Sequence, residues 1–397
     1  MESDTHFPPQ PTGRRTTWPA PDPEQRRRSE TLCGSIRAEI ESSDGIEFSR
    51  YMELALYAPG LGYYSSGQPL FGESGDFITA PEIGGMFAGC IARQCAQVLA
   101  AIGAGGVLEF GAGSGRLAAD VLLELERLQC IPDVYQIVEL GPELRARQHA
   151  TVLATAPHLL DRVHWLEGLP EPGFRGVVIA NEVIDAMPVT RFRRRPDGIA
   201  RLWVHWDGAR FVEIERLIDG LGIEGLDAST LPDGYTSEVC PRAAAWIRAL
   251  AEVCAQAAVL VVDYGFPARE YYHPDRRQGT LMCHYRHRAH ADPYINVGLQ
   301  DITAHVDFSA LGAAAASSGL RVAGYTQLAP FLLALGVVDR VQDPNDADTR
   351  GRIAAVQELK KLTMPYEMGE LFKVIALIKG FDAELTGFSL LDHRGRL

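Results

Sequence analysis

Three glycines at alternate positions, Gly111, Gly113 and Gly115, follow the apolar run Val107-Leu108-Glu109-Phe110. Glycine permits the tight turn and close approach that a nucleotide-like ligand demands of a strand-to-helix connection. A dinucleotide turn would also need glycine at position 116, where this chain has Arg116, so the pattern speaks against a pyrophosphate-bearing cofactor. The next apolar run ends in Val138-Glu139-Leu140, and a carboxylate there can accept both hydroxyls of a ribose. Glycines alone would fit an ordinary tight turn. The acidic end of the following strand makes a nucleoside the better reading.

A second polar group stands at Asn181-Glu182-Val183-Ile184-Asp185. Three polar side chains, two of them carboxylates, suit a cationic or multi-donor substrate. The competing reading is that Asn181 or Asp185 caps a helix. No aromatic is placed to stack on a flipped base, which points away from nucleobases. His284, His287 and His290 recur every third residue, with His305 further on. That spacing sets ligands poorly on a helix face, and the segment's glycine and proline content suggests a loop. Structural or substrate contacts fit these histidines better than a metal, and no metal is expected. Tyr63 and Tyr64 beside a glycine turn read as packing residues.

The chain has 397 residues, 46% hydrophobic and 22% charged, as in an ordinary soluble globular protein. That length suffices for one large core, or one core with a second lobe. A formal charge of −13 disfavours nucleic acid as a partner, because phosphate binding needs a positive field. Arg191, Arg193, Arg194 and Arg195 form a local basic patch that reads as a solvated strand face. The cysteines (Cys33, Cys90, Cys95, Cys130, Cys240, Cys254 and Cys283) are scattered and never form a Cys-x-x-Cys pair. Reduced thiols in the cytoplasm follow, rather than a disulfide frame or a zinc site. No apolar run reaches the roughly 18–20 residues that span a bilayer, so membrane insertion is not expected. Residues 1–30 are rich in proline and arginine but contain Glu2 and Asp4. They match neither a secretory signal nor a transit peptide, and read as a disordered extension.

The elements that must position these groups follow from periodicity. Val107–Phe110, Tyr135–Leu140, Arg162–Leu166, Gly176–Ala180 and Ala258–Tyr264 are apolar runs, the mark of parallel strands buried on both faces. Arg116–Leu128 is an amphipathic helix with Leu117, Val121, Leu125 and Leu128 on one face. Arg321–Tyr325 and Phe372–Ile378 are placed to close the sheet. Residues 189–217 alternate with period two around the turn signals Pro196-Asp197-Gly198 and Asp207-Gly208, which predicts an inserted antiparallel meander. The expected organisation is an α/β fold with a disordered extension (1–30) and a helical region carrying an active-site loop (31–104). A cofactor-binding core follows in two halves (105–188 and 239–382), split by the β-meander (189–238), with a tail (383–397). The sequence carries no signal for oligomeric state.

Glu109 followed by Gly-x-Gly-x-Gly is the pattern of class I (Rossmann-like) methyltransferases. From about residue 32 to 380 the chain resembles the MidA-type methyltransferases, a family that includes an arginine methyltransferase. The resemblance is carried by Leu56-Tyr57-Ala58-Pro59-Gly60-Leu61-Gly62-Tyr63-Tyr64, Gly75-Asp76-Phe77-Ile78-Thr79-Ala80-Pro81-Glu82 and the segment from Glu109 to Leu117. Asn181 to Pro188, Asp263-Tyr264-Gly265, Gly279-Thr280-Leu281, Gln300 to Phe308 and Met368 to Val374 continue it in order. The resemblance implies S-adenosylmethionine as cofactor, with Glu109, Gly111, Gly113 and Gly115 at its methionine part and Glu139 at its ribose. Asn181, Thr79 and Pro81 would also touch it, the Gly75–Glu82 loop lying over it. The implied acceptor is a protein arginine, its guanidinium held by Glu182 and Asp185, with Glu82 joining if the loop closes. Two positions depart from the family, Gly84 for serine and Leu299 for glutamate. A non-catalytic assembly factor that binds the same cofactor, or a small-molecule methyltransferase, would share the cofactor signature.

Overall fold

The computed structural model describes residues 19–67, 79–221, 230–342 and 349–397. The first helix, α1 (Pro23–Ser43), begins where the Asp22 side chain accepts the N–H groups of Glu24 and Gln25. Gln25 accepts the Asp22 N–H in return, closing a capping box with proline in the first turn. Residues 23–30 are therefore helical, not part of a disordered extension; the Asp22-Pro23-x-Gln25 signal outweighs the arginine run that follows it. Residues 1–18 lie outside the described residues. A two-residue strand β1 (Ile46–Glu47), then α2 (Phe48–Tyr57), the short α3 (Ala80–Ile83) and α4 (Met86–Ile102) complete the N-terminal region.

Strand and helix then alternate through β2 (Gly106–Phe110), α5 (Arg116–Arg127), β3 (Tyr135–Val138), α6 (Pro142–Thr155), β4 (Val163–Leu166) and β5 (Phe174–Asn181). Four strands interrupt: β6 (Thr190–Arg195), β7 (Gly198–Trp206), β8 (Phe211–Ile218) and β9 (Thr236–Val239). The alternation resumes with α7 (Pro241–Val253) and the long β10 (Cys254–Phe266). It ends with α8 (Ala268–Tyr271), β11 (Met282–Tyr285), β12 (Arg288–His290), β13 (Asp301–Thr303), β14 (Val306–Asp307), α9 (Phe308–Ser317), β15 (Arg321–Gln327), α10 (Leu328–Ala334), α11 (Thr349–Thr363) and β16 (Phe372–Lys379).

The central sheet runs β15-β16-β10-β5-β2-β3-β4, with β14 beside the end of β10. Only β16 opposes its neighbours β10 and β15 in direction. One face packs on α4, α5, α10 and α11 and the other on α7 and α9, which is why β2 and most of β5, β10 and β16 are continuous buried runs. The chain moves outward from β2 to β4 and returns at β5 on the other side of β2. Ligands of open α/β sheets bind at such a reversal, beyond the carboxyl ends of the strands.

The inserted meander is present, and β9 returns to pair with β6 as a fourth strand. It is tied to the N-terminal region, since β1 pairs with β7 and Val204 and Phe211 share a core with α1 and α2. Its arginines do not form an open basic face. Arg191 meets Glu213, and Glu215 lies 2.6 Å from both Arg193 and Arg195. The histidine segment, expected as loop, is a small sheet of β12, β11 and β13, with His284 on β11, His290 on β12 and His287 at the turn between them with φ +61°. Cross-strand pairing of Cys283, itself buried, with His290 and Ile302 supplies the order that residue composition did not suggest. The segment after residue 382 is not a loose tail: Phe388 is buried with its ring 5.4 Å from that of Phe331. No described helix is long and apolar enough to cross a membrane.

Glu238 on β9 joins the inserted sheet to the segment before β11. It is fully buried, accepts the Thr280 N–H at 2.8 Å and lies 3.5 Å from Arg191. Removing Glu238 takes one of two carboxylates from the buried Arg191 and leaves the buried Thr280 N–H without its acceptor. Glu238→Ala should therefore cost about 3 kcal/mol, seen as a drop of several degrees in the thermal unfolding midpoint. An unchanged midpoint would mean that the pair does not stabilise the insert.

Candidate active site

A cleft of about 1890 Å³ opens along the carboxyl ends of β2, β3, β5 and β10. Pockets for one small ligand hold roughly 300–1,000 Å³, so this one has room for a cofactor and a second molecule. After β2 the backbone turns through Gly111, Gly113 and Gly115, with φ of +63°, +52° and +83°. A Cβ on Gly111 would stand 2.8 Å from Val183 Cγ2, so glycine there lets the loops after β2 and β5 close on each other. Gly113 lines the cleft; Gly115 does not. A Cβ on Gly115 would meet the Gln148 backbone at 2.8 Å, so this glycine serves helix packing rather than ligand contact, against expectation.

Glu109 also lines the cleft, but its carboxylate accepts the Tyr135 hydroxyl at 2.7 Å across the β2–β3 pair. Burial pushes its carboxyl up to about 7. Glu139, on the cleft lining, is held in place by two donors. Its Oε1 accepts the Gly141 N–H at 2.9 Å and its Oε2 accepts Gln148 Nε2 at 3.0 Å. Gln148 in turn accepts the Trp165 indole N–H at 2.9 Å and lies 3.3 Å from the Gly113 carbonyl. The sequence reading passed over this fully buried glutamine. Its signal was a polar residue one turn from Val152 on the buried side of α6.

Thr79, Pro81 and Glu82 line the opposite wall. Residues 75–78 of the expected covering loop lie outside the described residues. Glu82 accepts the Ser114 hydroxyl of the glycine turn, and the Ala80 N–H bonds to Glu182, so α3 touches both halves of the site. At Gly84, where the family has serine, a Cβ would stand 2.1 Å from the Glu358 carboxylate, which accepts the Met86 N–H at the start of α4. A carboxylate from α11 thus fills the space beside Gly84 that a side chain would need. Leu299 is buried but does not line the cleft.

The loop after β5 carries the second polar group of the sequence, Asn181 to Asp185. No helix follows Asp185, so the capping alternative does not apply; the loop's own N–H groups are capped instead. Asp263 Oδ2 accepts those of Val183, Ile184 and Asp185 at 3.3, 2.9 and 3.3 Å, and Oδ1 accepts that of Tyr264 at 2.8 Å. Glu182 is bent into the left-handed region at φ +52°, which costs energy for a non-glycine residue and recurs at functional sites. Asn181 donates to its carboxylate at 3.2 Å, while Asn181 Oδ1 has no partner among the described residues. Asp301 completes the group, accepting the Tyr64 hydroxyl at 2.9 Å. Tyr57 stacks on Tyr64, so these tyrosines line the cleft rather than only packing.

Burial, joined by the neighbouring carboxylate Asp263, raises the Glu182 carboxyl to about 8. Burial also raises Asp185 well above its ordinary range, with Asp263, Asp301 and Glu182 adding to it. Asp263 is pushed to about 7 by burial, its backbone donors pulling the other way. Sequence reading missed Asp263 and Asp301 as site residues, although both fall in segments that carry the family resemblance. Of the four histidines, His284 and His305 line the cleft. Among the described residues no three metal-ligating side chains come together.

The fold, the glycine turn abutting the loop after β5, and the pre-set Glu139 define a class I S-adenosylmethionine-dependent methyltransferase, and the cradle fits that cofactor. Residues 90–326 match the profile of a family described as "Putative S-adenosyl-L-methionine-dependent methyltransferase". The chain belongs to this family and shares its MidA-type segments. Its curated relatives include the protein arginine methyltransferase NDUFAF7, mitochondrial, of zebrafish (Danio rerio), 28% identical over 88% of this chain and 87% of the relative. The human protein of that name is 27% identical over 85% and 81%. A Burkholderia thailandensis protein, described as a "likely methyl transferase" and solved with S-adenosyl-homocysteine, is 47% identical with a TM-score of 0.91, over 96% of this chain and 100% of that one.

Glu139→Gln should lower affinity for S-adenosylhomocysteine by about a hundredfold, the loss of a charged acceptor from two hydroxyls. Gln148→Ala, which frees Glu139 without removing it, should cost about tenfold. Titration calorimetry reads both; equal affinities in both variants and wild type would remove Glu139 from the ribose site.

Proposed function

We propose that the enzyme methylates the guanidinium of an arginine side chain in a protein. The observation that carries this reading is the group of carboxylates, the buried Asp185 and Asp301 with the half-buried Glu182, facing the same cleft as the glycine turn. S-adenosylmethionine, when bound, supplies an electrophilic methyl on sulfur. The arginine nitrogen is a poor nucleophile because its lone pair is delocalised over a cation of pKa above about 12. Carboxylates can accept the planar fork in two-point hydrogen bonds and concentrate the positive charge away from the attacking nitrogen. Glu182 and Asp185 are suited to this and to taking the proton the nitrogen gives up. Tyr57, Tyr64 and Tyr264 wall the site, exclude water and offer ring faces to a cation.

The names of the curated relatives support the same acceptor. Cytoplasmic residence is the companion proposal, supported by seven free thiols. Incubation with S-adenosylmethionine and a cell extract, followed by peptide mass spectrometry, should reveal methylarginine. Methylation confined to small molecules would remove the protein substrate.

On an identified arginine substrate, Glu182→Gln and Asp185→Asn should each lower kcat/KM by about a hundredfold or more. Affinity for S-adenosylhomocysteine should stay within about threefold. Wild-type turnover in both variants would end the assignment. The free-enzyme carboxyl of Glu182, raised to about 8, must be ionised to receive a cation. So kcat/KM should climb with pH and level off near that value, and Glu182→Gln should flatten this limb.

A further inference from the structure

We propose that the far end of the cleft is a carboxylate-binding subsite, so that the arginine is selected together with an acidic group held beside it. This rests on the arginine reading above. The floor of this end is Phe266, the last residue of β10. The Arg276 guanidinium lies 4.3 Å and the Lys373 ammonium 5.5 Å from the centre of its ring. Arg396 is a third cation here, paired with Glu270. Lys373 is in no ion pair among the described residues; it donates to the carbonyls of Glu370 and Leu371, two of the three bonds an ammonium can make.

A second observation points to a ligand. His305 Nδ1 and the Tyr325 hydroxyl are buried on the lining of the cleft without a hydrogen-bond partner among the described residues. Tyr325 is 2% exposed. Buried polar atoms normally find partners, and two orphans at this end of the cleft are costly unless something with acceptors arrives. The hydroxyl can donate. The imidazole is neutral, held down to about 3 by burial and by the charges of Arg276 and Lys373, so one of its nitrogens carries a hydrogen.

Topology separates this end from the cofactor. The glycine turn follows β2 and Glu139 follows β3. The catalytic carboxylates follow β5, and the basic group sits beyond them at the ends of β10, β15 and β16, where Gln327 pairs with Lys373. Tyr264 stands between the two halves. Its ring is 6.2 Å from that of His305, while its hydroxyl is near enough to Glu182 and Asp185 to be raised by their charges. One tyrosine separates the sites, a span of about two extended residues. The carboxylate could come from an acidic side chain within about two residues of the arginine, or from the α-carboxylate of a terminal or free arginine.

Calorimetry on the full chain saturated with S-adenosylhomocysteine, with N-acetylglutamate as probe, should show one binding site. Lys373→Gln and Arg276→Gln should each weaken it about tenfold, leaving affinity for S-adenosylhomocysteine unchanged. Assays on arginine peptides with glutamate or glutamine at flanking positions, and on free arginine, separate the two sources. A preference for glutamate of about tenfold in kcat/KM, lost in Lys373→Gln, supports the side chain; preference for free arginine supports the α-carboxylate. No probe binding, or binding unaltered in both variants, overturns the subsite. Probe binding as expected with no methylation of any arginine compound leaves the subsite and removes the arginine reading.

Discussion

The burial of like charges at one end of the sheet is the constraint on which the site depends. Glu182, Asp185, Asp263 and Asp301 cannot all be ionised there without compensation, because each lone carboxylate taken from water is expensive. Asp263 finds its compensation in four backbone N–H groups. Those bonds also fix the loop after β5 and hold Glu182 in its unusual backbone conformation. Burial and the neighbouring carboxylates favour the protonated forms of Glu182 and Asp185. The arginine proposed above as acceptor would bring a charge that replaces those protons.

The same loop is held close to the glycine turn. Gly111 allows Val183 to approach the glycine turn, Ala80 reaches Glu182, and Glu82 reaches Ser114. α3 therefore closes on both halves at once, and Glu358 of α11 accepts the Met86 N–H at the start of α4, just beyond it. Proximity of this kind is the main service a protein gives to transfer from a reactive cofactor.

Much of this was legible in the sequence. The buried strands announced themselves as apolar runs, and the meander by its alternation and turn signals. The glycine turn, Glu139 and the Asn181–Asp185 loop all reach one cleft. What escaped were groups whose meaning depends on distant partners. Asp263 stands near the end of an apolar strand and gave no sign that it would cap a loop some 80 residues earlier. Asp301 and Gln148 matter because of Tyr64 and Glu139, which only the fold brings near. Glu109 and Gly115 fit a familiar pattern, yet one is committed to Tyr135 and the other to α6. The start of α1 was missed for a local reason, a capping signal hidden behind an arginine run.

The most direct test of the central claim is the proton balance of guanidinium binding. Calorimetry of the S-adenosylhomocysteine-saturated enzyme with N-acetylarginine methylamide at pH 7, in buffers of different ionisation heat, should show net proton release that disappears in Glu182→Gln. Binding without proton release, or release unchanged in that variant, would contradict the account.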